Sequence, residues 1–259
     1  MGIINVTPDS FYDGGKTTAT QAILQQAEKM LAEGATFLDI GGYSSRPKAT
    51  NISEAEEINR VIPAIECILQ EFPKALISID TFRSRVAKKA IEAGACLVND
   101  ISGGTLDADM YNTVAKLKAP YILMHMRGTP QTMTQKTEYA DITLEVIRYF
   151  SKKKALAQKA GINDIIIDPG FGFAKKREQS FELLQKMELL QQLEVPILAG
   201  VSRKSMIYKT LDGSAREALN GTTVLNTLAL QKGASILRVH DVKEAIECIK
   251  LTQMLTPYL

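Results

Sequence analysis

The sequence predicts an α/β fold, a single (β/α)8 TIM barrel with an active site at the carboxyl ends of its strands. Three observations support it: eight short apolar runs recur along the chain, helical patterns separate them, and nearly every run ends on a polar side chain. Strands buried on both faces are typical of parallel sheets covered by helices. The runs are Gly2–Asn5, Thr36–Asp39, Leu76–Asp80, Cys96–Asp100, Tyr121–His125, Ile165–Asp168, Ile197–Arg203 and Ile236–His240.

The segments between the runs have the periodicity of amphipathic helices. Ser53 followed by Glu56 forms a capping-box signal for a helix start. Strand and helix alternation allows a closed barrel or an open doubly wound sheet. Eight repeats favour the barrel, and no Gly-x-Gly-x-x-Gly opens the first helix. Apolar residues share a helix face at Ile23, Ala27, Met30 and Leu31, at Val86, Ala87, Ala90 and Ile91, and at Val242, Ala245, Ile246 and Ile249. Glycines stand at the expected helix ends, at Gly34, Gly94, Gly161 and Gly233.

Length and composition agree with one barrel domain over residues 1–259, since about 250 residues are typical of this fold. The composition, with 45% hydrophobic and 23% charged residues, can bury a large core. A net charge of +2 without a basic stripe argues against nucleic acid as a partner. No apolar run is long enough for a membrane span, so no membrane partner is expected.

The cysteines and the amino terminus predict a cytoplasmic location. Cys67, Cys96 and Cys248 lie far apart, without the spacing of a zinc site, and are expected as small buried hydrophobes in a reducing compartment. The amino terminus carries no basic segment followed by a long apolar stretch.

Long loops follow the first, second and fifth strands. They cover Thr7–Thr17, Tyr43–Ser53 and Met126–Ala140, whereas the links from helix to strand are short. Barrel enzymes place their functional loops at this same face. We expect Thr7–Thr17 to act as a flap that closes over substrate, and a merely flexible surface loop is the alternative.

The strand ends supply two kinds of chemistry at one face. Carboxylates and amides match the donors and acceptors of a flat nitrogen-rich ring, whereas cationic side chains hold phosphate or carboxylate groups. The set predicts a substrate with a polar ring at one end and a phosphate at the other. Its members are Asp39, Asp80 and Asp168, Asn5 and Asn99, and the donors Arg203, Lys204, Arg238 and His240.

Several of these residues also admit structural interpretations. Asp100 is expected to cap the helix that follows its strand. His125 is either functional or a packed or helix-capping histidine. Arg238 and His240 lie two residues apart in an extended strand, so both should point to one side and form an anion clamp. Phe173 follows two glycines that allow tight turns, and we expect it to form an aromatic platform.

Four distinctive segments occur along the chain in this order: Met1–Phe11 (MGIINVTPDSF), Asp168–Phe173 (DPGFGF), Ser202–Ser205 (SRKS) and Arg238–Asp241 (RVHD). Together they resemble the dihydropteroate synthase family. The resemblance implies a transferase that condenses 6-hydroxymethyl-7,8-dihydropterin diphosphate with 4-aminobenzoate, releasing diphosphate and 7,8-dihydropteroate in folate biosynthesis. It further implies Mg²⁺ as cofactor, sensitivity of the family to sulfonamides, and a homodimer formed through helices away from the active face.

The resemblance also implies residue roles. Catalytic roles fall to Asp80, Lys204, Arg238 and His240. The pterin site comprises Asp39, Asp80, Asn99, Ile101, Met124, Asp168 and Lys204. The diphosphate site comprises Asn5, Arg46, Arg238 and His240, and Asn5 contributes to the magnesium site. The aminobenzoate site comprises Ser45, Arg46, Pro47, Phe173, Ser202 and Lys204.

The chain departs from the family pattern in the loop after the second strand. Tyr43 stands where Glu is common, Ser45 where Thr is frequent, and Lys48 where Gly is usual. Ser45 keeps the hydroxyl and loses a methyl group, which predicts altered aminobenzoate or sulfonamide affinity without a change of reaction. The first expected strand begins at residue 2, whereas family members usually carry a short segment before it.

Three other functions fit parts of the pattern. A Schiff-base aldolase on the same fold would use Lys204 as its nucleophile. A methyltetrahydrofolate-binding methyltransferase would share a pterin slot but needs no anion clamp at Arg238 and His240. A non-catalytic pterin-binding protein would not need those donors or the Asn5 amide.

Overall fold

A computed structural model describes residues 1–6, 16–44 and 51–255. Most of the Thr7–Thr17 flap and the loop residues Ser45, Arg46, Pro47 and Lys48 therefore lie outside the described residues.

Eight parallel strands form one sheet in sequence order, which is the order of a (β/α)8 barrel. The sheet closes where the Ile3 N–H donates to the Val239 carbonyl and the Val239 N–H donates to the Met1 carbonyl, each at 2.9 Å. The predicted fold is confirmed. The strands are β1 (Gly2–Asn5), β2 (Phe37–Gly41), β3 (Leu76–Asp80), β4 (Leu97–Asp100), β5 (Tyr121–Met124), β6 (Ile165–Asp168), β7 (Ile197–Ala199) and β8 (Ala234–Leu237).

Helices follow the strands and begin and end near the predicted signals. Ser53 Oγ accepts from the Glu56 N–H at 3.1 Å. The four glycines expected at helix ends all have positive φ, between +94° and +108°. The described helices are α1 (Lys16–Ala32), α2 (Glu54–Glu71), α3 (Ser84–Glu92), α4 (Met110–Leu117), α5 (Ile142–Ala160), α6 (Arg177–Gln185), α7 (Ser205–Tyr208), α8 (Leu219–Gln231) and α9 (Val242–Leu255). Short 3₁₀ segments cover Met133–Gln135 and Met187–Leu193.

Strand side chains alternate between two apolar cores. One set, such as Leu38, Ile77 and Leu123, packs under the helices. The other set fills the barrel axis, and its buried members are Leu97, Ile122 and Leu198. Alternate residues of a strand point to the same face, so the residue two positions beyond an axial core residue also points to the barrel axis. At the carboxyl ends of the strands these positions carry polar side chains, which line the barrel mouth.

Three predicted strands end earlier than expected at the site, and for β5 the difference is one residue, Met124 instead of His125. Ile197–Arg203 was expected as one run, but β7 ends at Ala199, because the following residues leave the ladder and Arg203 adopts φ +53°. The last strand was expected at Ile236–His240, but β8 covers Ala234–Leu237. Beyond it the pairing continues only through the Arg238 N–H, which donates to the Ala199 carbonyl at 3.0 Å, and through an isolated bridge between Val239 and Gly2. The short β7 lets the next segment turn inward over the barrel mouth.

No helix among the described residues has both the length and the apolar character needed to cross a membrane.

Candidate active site

Strand register brings the predicted residues to one level of the barrel mouth. Asn5 pairs with Gly41, Gly41 with Asp80, and Asp80 with Asn99 around the sheet. On the opposite side Met124 pairs with Asp168. Side chains that are scattered along the chain therefore converge on one axial opening.

An arginine joins two carboxylates at the centre of this opening. Arg238 Nε donates to Asp39 Oδ2 at 2.6 Å, and Arg238 Nη2 donates to Asp80 Oδ2 at 2.7 Å. Asn99 Nδ2 also donates to Asp39 Oδ2, at 3.0 Å. Asp39 is fully buried, so its charge depends on these donors.

Two buried oxygens near this centre have no hydrogen-bond partner within the described parts of the chain. They are Asp39 Oδ1 and Ser78 Oγ, which lie on neighbouring strands. An unsatisfied buried acceptor costs about 1–3 kcal/mol. A ligand that donates hydrogen bonds here would be stabilised by that difference.

Asp168, Lys204 and Arg238 surround Gly200, just after β7. A methyl group built on Gly200 would lie 3.7 Å from Lys204 Nζ, 3.8 Å from Asp168 Oδ2 and 4.0 Å from Arg238 Cβ. The Gly170 N–H donates to Asp168 Oδ1 at 2.7 Å, which orients that carboxylate. The absence of a side chain at Gly200 therefore leaves the space between the three groups open.

Lys204 is held over the aromatic residue of the turn after β6. Its Nζ donates to the Phe171 carbonyl at 2.7 Å and lies 5.0 Å from the centroid of the Phe173 ring. Cation and ring at this distance attract each other. The predicted platform residue is therefore next to the predicted lysine.

Burial shifts the acid–base behaviour of the site. Burial raises the pKa of Asp80 to about 7, although the Arg238 charge opposes the shift. Burial also raises the pKa of Asp168, with Lys204 acting against it. The pKa of Lys204 is lowered by burial to about 8, with Asp168 acting in the other direction. Perturbed groups gathered in one cleft are typical of functional sites.

An apolar wall borders the polar groups. Ile101 and Met124 are buried in a small cluster, against which Phe82 and Phe173 pack. A wall of this kind fits the face of a flat ring while the carboxylates and amides contact its edge.

The outer rim carries the remaining predicted donors. His240 is exposed, and its Nδ1 lies 3.0 Å from Ser202 Oγ, which accepts in turn from the His240 N–H at 3.1 Å. Asn5 is exposed at the end of β1. Ser45, Arg46 and Pro47 belong to the undescribed loop and are not placed.

Three other residues considered in the sequence analysis make contacts that stabilise the fold. Arg203 forms an ion pair with Asp241 at 2.8 Å and donates to two backbone carbonyls. The expectation that Arg203 is available to bind an anion is therefore wrong. Asp100 accepts from Tyr121 Oη and from two N–H groups of the following turn, rather than capping α4. His125 is packed edge-on against Tyr149, with centroids 4.7 Å apart.

Tyr43, one of the departures from the family pattern, connects two loops at the mouth. Its hydroxyl accepts from Gln131 Nε2 at 2.7 Å, and its ring packs edge-on against Phe82. The loop after β2 is thereby joined to the loop after β5. Sequence reasoning noted Tyr43 but missed this contact, because Gln131 lies 88 residues away.

Sequence reasoning also missed Lys175, a buried lysine in the turn after β6. Nothing in the sequence distinguishes it from Lys176, which is exposed. Its position two residues after Phe173, the predicted platform residue, was the one feature of the sequence that placed it near the site.

Replacing Gly200 with alanine should impair ligand binding without unfolding the protein. The new methyl group meets only ordinary van der Waals contacts, and its nearest neighbours are the site groups Lys204 and Asp168. We expect Gly200→Ala to weaken binding of the ring substrate about tenfold or more, with a change in unfolding free energy of about 0.5 kcal/mol or less. Isothermal titration and urea denaturation measure the two effects. Gly213→Ala, at an exposed site, is the matched control, and an unchanged Kd in Gly200→Ala would contradict the placement of the site.

The fold and the site define the class of protein: a TIM-barrel enzyme whose mouth gathers buried carboxylates and cationic groups beside an apolar wall. Comparison with known proteins is more specific. The model of the family described as "Pterin binding enzyme" matches residues 1–240. A dihydropteroate synthase of Synechocystis sp. is 45% identical over 98% of this chain and 89% of its own length.

Solved structures agree with the sequence relatives. A Xanthomonas albilineans dihydropteroate synthase with 4-aminobenzoic acid has a TM-score of 0.92 and 38% identity, covering 99% of this chain and 92% of its own. The same organism's enzyme in complex with 7,8-dihydropteroate has a TM-score of 0.88 and 36% identity, with the same coverage. The chain belongs to the pterin binding enzymes and, among them, to the dihydropteroate synthases, which are transferases.

Proposed function

We propose that this chain joins 6-hydroxymethyl-7,8-dihydropterin diphosphate to 4-aminobenzoate, with the residue roles given below. One observation carries the proposal: Asp39, Asp80, Asp168, Lys204 and Arg238 meet at one barrel mouth beside an apolar wall. A pterin ring has donors and acceptors along one edge and flat apolar faces, which matches that arrangement.

The pterin ring is held by the acidic groups and by Asn99. Asp80 and Asp168 accept from ring N–H groups, and Lys204 donates to a ring oxygen or nitrogen. Ile101 and Met124 contact the face of the ring. The unpartnered Asp39 Oδ1 supports a further donor from the ligand at the bottom of the slot.

The diphosphate is bound by Arg238, His240 and Asn5, with Arg46 from the undescribed loop. In this structure Arg238 donates to Asp39 and Asp80, so its remaining guanidinium donors are the ones that face a diphosphate. His240 sits at the exposed rim, where its other ring nitrogen can donate to an anion.

Magnesium fits this rim as a partner of the diphosphate. Among the described residues no cluster of three His, Cys, Asp or Glu side chains could form a protein cage for a metal. Mg²⁺ is often held by one or two protein oxygens, waters and substrate phosphates. The Asn5 amide oxygen is such a ligand, and bound Mg²⁺ would stabilise the negative charge of the leaving group.

The chemistry breaks the bond between the pterin methylene carbon and the diphosphate oxygen and forms a bond from that carbon to the aminobenzoate nitrogen. Negative charge develops on the diphosphate, which Arg238 and His240 stabilise in a site with little water. Positive charge develops on the methylene and is shared with the ring, near Asp80 and Asp168. The amine nitrogen attacks the methylene directly, so no enzyme nucleophile is required, and the proton that the nitrogen then loses passes to the released diphosphate.

Lys204 orients the substrates in this scheme. Its Nζ donates to the Phe171 carbonyl and lies over the Phe173 ring, which supports a role as an orienting donor. A lysine pKa lowered by burial to about 8 is also typical of Schiff-base enzymes, so the aldolase alternative is decided by the borohydride test below. Phe173 and Ser202, with Ser45 and Pro47 of the undescribed loop, form the aminobenzoate site beside Lys204.

We further propose a homodimer and a cytoplasmic location. Large exposed apolar side chains lie on α8 and α9, which pack side by side away from the barrel mouth. Burial of such a patch between two copies would stabilise a dimer. The three cysteines are unpaired, as is typical of a reducing compartment. The exposed apolar residues are Val224, Leu228, Leu251, Met254 and Leu255.

Diphosphate release tests the proposed reaction directly. The purified protein is incubated with the dihydropterin diphosphate, with and without 4-aminobenzoate and Mg²⁺, and diphosphate and dihydropteroate are quantified. We expect equal amounts of both products, only when both substrates and the metal are present. Diphosphate release that is independent of 4-aminobenzoate would contradict the transfer reaction, and a borohydride-trapped adduct on Lys204 would support the aldolase.

A further inference from the structure

Lys175 has an unusual set of hydrogen-bond partners that the proposed chemistry does not use. Its Nζ lies 2.8 Å from His125 Nδ1, 3.0 Å from the carbonyls of Gly170 and Phe173, and 3.3 Å from the His125 carbonyl. The residue is only 8% exposed. Buried lysines are rare unless such partners compensate the charge.

The partners of Lys175 bracket the turn that builds the site. Between Gly170 and Phe173 this turn presents the N–H that orients Asp168 and the Phe171 carbonyl that receives Lys204. Lys175 is hydrogen-bonded to the first and last carbonyls of the turn and to His125, the residue just after β5. One side chain therefore ties the Asp168 carboxylate, the Phe173 ring and the Lys204 amine to a common support.

The turn also approaches β5 as closely as a backbone can. Gly170 has φ +67°, and a methyl group there would lie 2.2 Å from the His125 carbonyl. The contact leaves no room for the turn to shift toward β5, and Lys175 opposes a shift away from it.

Charge in this region favours a neutral histidine next to the lysine. The pKa of His125 lies well below its ordinary value because of burial and, next, the nearby Lys175. Burial also lowers the pKa of Lys175, while Asp168 opposes that shift and Lys204 and Arg127 add to it. A neutral His125 with its proton on Nε2 accepts a hydrogen bond from Lys175 at Nδ1. The N–H donors of Lys175 are then surrounded by one ring nitrogen and three carbonyls.

We propose that Lys175 is a positioning residue for the transfer reaction, and that His125 assists it by accepting its hydrogen bond. Together they hold the turn after β6 so that Asp168, Phe173 and Lys204 are in place before the substrates bind. The inference rests on the proposed function, since the turn matters only if both substrates bind beside it. Groups that orient the residues contacting a ligand typically contribute 10- to 100-fold, as metal-site examples illustrate.

The test compares Lys175→Met with its exposed neighbour Lys176→Met. We expect Lys175→Met to lower kcat/KM for both substrates by about 10- to 100-fold and to raise the Kd of the dihydropterin diphosphate, measured well below the unfolding temperature. Lys176→Met should stay within about twofold of the parent on both measurements. A purely structural lysine would lower the unfolding temperature and leave the kinetics of the folded protein unchanged.

A second pair of variants keeps the test valid if Lys175→Met does not fold. Asn carries an amide oxygen as many bonds from Cα as Nδ1 of histidine, so His125→Asn keeps the acceptor and His125→Leu removes it. We expect His125→Asn to retain the parent Kd and kcat/KM within about threefold, and His125→Leu to lose about tenfold or more.

Folded Lys175→Met or His125→Leu protein with parental kinetics and Kd would overturn the inference, as would equal losses in both His125 variants. Measurements on the unmodified protein separate the proposed transfer reaction from the positioning role of Lys175. A parent that binds the pterin without transferring it contradicts the proposed reaction, and the Kd values of the variants still decide the role of Lys175.

Discussion

Replacing Arg238 with methionine should produce the largest combined loss of activity and stability in this protein. We expect kcat/KM to fall by about a thousandfold, since one group that stabilises the leaving diphosphate is removed. We also expect the free energy of unfolding to fall by about 3 kcal/mol at pH 8. Arg238 is the cation bonded to Asp39, which is fully buried, and to Asp80, which is 15% exposed.

The measurements are steady-state diphosphate release and urea denaturation. Arg216→Met changes an exposed arginine and is the matched control, expected to match the parent. Arg238→Lys should fall between parent and Arg238→Met, because one ammonium cannot reproduce a fork that reaches two carboxylates. If Arg238→Met retains the unfolding free energy of the parent at pH 8, the two ion pairs do not stabilise the fold as described.

Replacing Asp80 with asparagine should weaken pterin binding and remove a pH dependence. Loss of a charged acceptor costs about 2 kcal/mol, or about 30-fold in the Kd of the dihydropterin diphosphate. Because burial raises the pKa of Asp80 to about 7, the parent should bind the ring more tightly as the pH rises through 7, when this carboxylate ionises. In Asp80→Asn this part of the pH dependence should disappear.

The contribution of Asp80 to the free energy of unfolding should fall as the pH rises, whereas its contribution to pterin binding should increase. A carboxyl whose pKa is raised on folding contributes stability below its unfolded pKa of 3.8, and that contribution is lost as the pH rises toward about 7. Arg238 opposes the shift, whereas Asp39, Glu57 and Asp100 add to it. The stability of Asp80→Asn relative to the parent should therefore increase between pH 5 and pH 8.

Urea denaturation at the two pH values and titration of the pterin across pH 6 to 8 check both effects. Asp164→Asn changes an exposed aspartate and serves as the control. Full turnover and an unchanged pH profile of binding in Asp80→Asn would show that this carboxylate does not contact the ring.

Sequence periodicity predicted most of the fold, because the buried faces of strands and helices require apolar residues at regular spacing along the chain. β1, β3 and β6 begin and end at the predicted residues, and Ser53 caps α2 as expected. The ends of β7 and β8 were less accurate. Backbone turns such as the one at Arg203 depend on where the neighbouring strand stops, which a one-dimensional pattern does not contain.

The residue types of the site were also readable, since strand ends of a parallel barrel must share one face. Asp39, Asp80 and Arg238 were named from the sequence, but their mutual ion pairs were not. Arg203 illustrates the opposite case. It has the same side chain and a similar position, yet its pairing with Asp241 assigns it to structure.

What the chain's letters alone establish is a barrel, the face on which it does chemistry and the kinds of groups gathered there, because periodicity and strand polarity are local properties. Folding in three dimensions is what pairs Arg238 with two carboxylates, raises the pKa of Asp80 and surrounds Lys175 with four acceptors. These depend on burial and on distances between residues far apart in sequence, and both exist only once the strands have closed around a common axis.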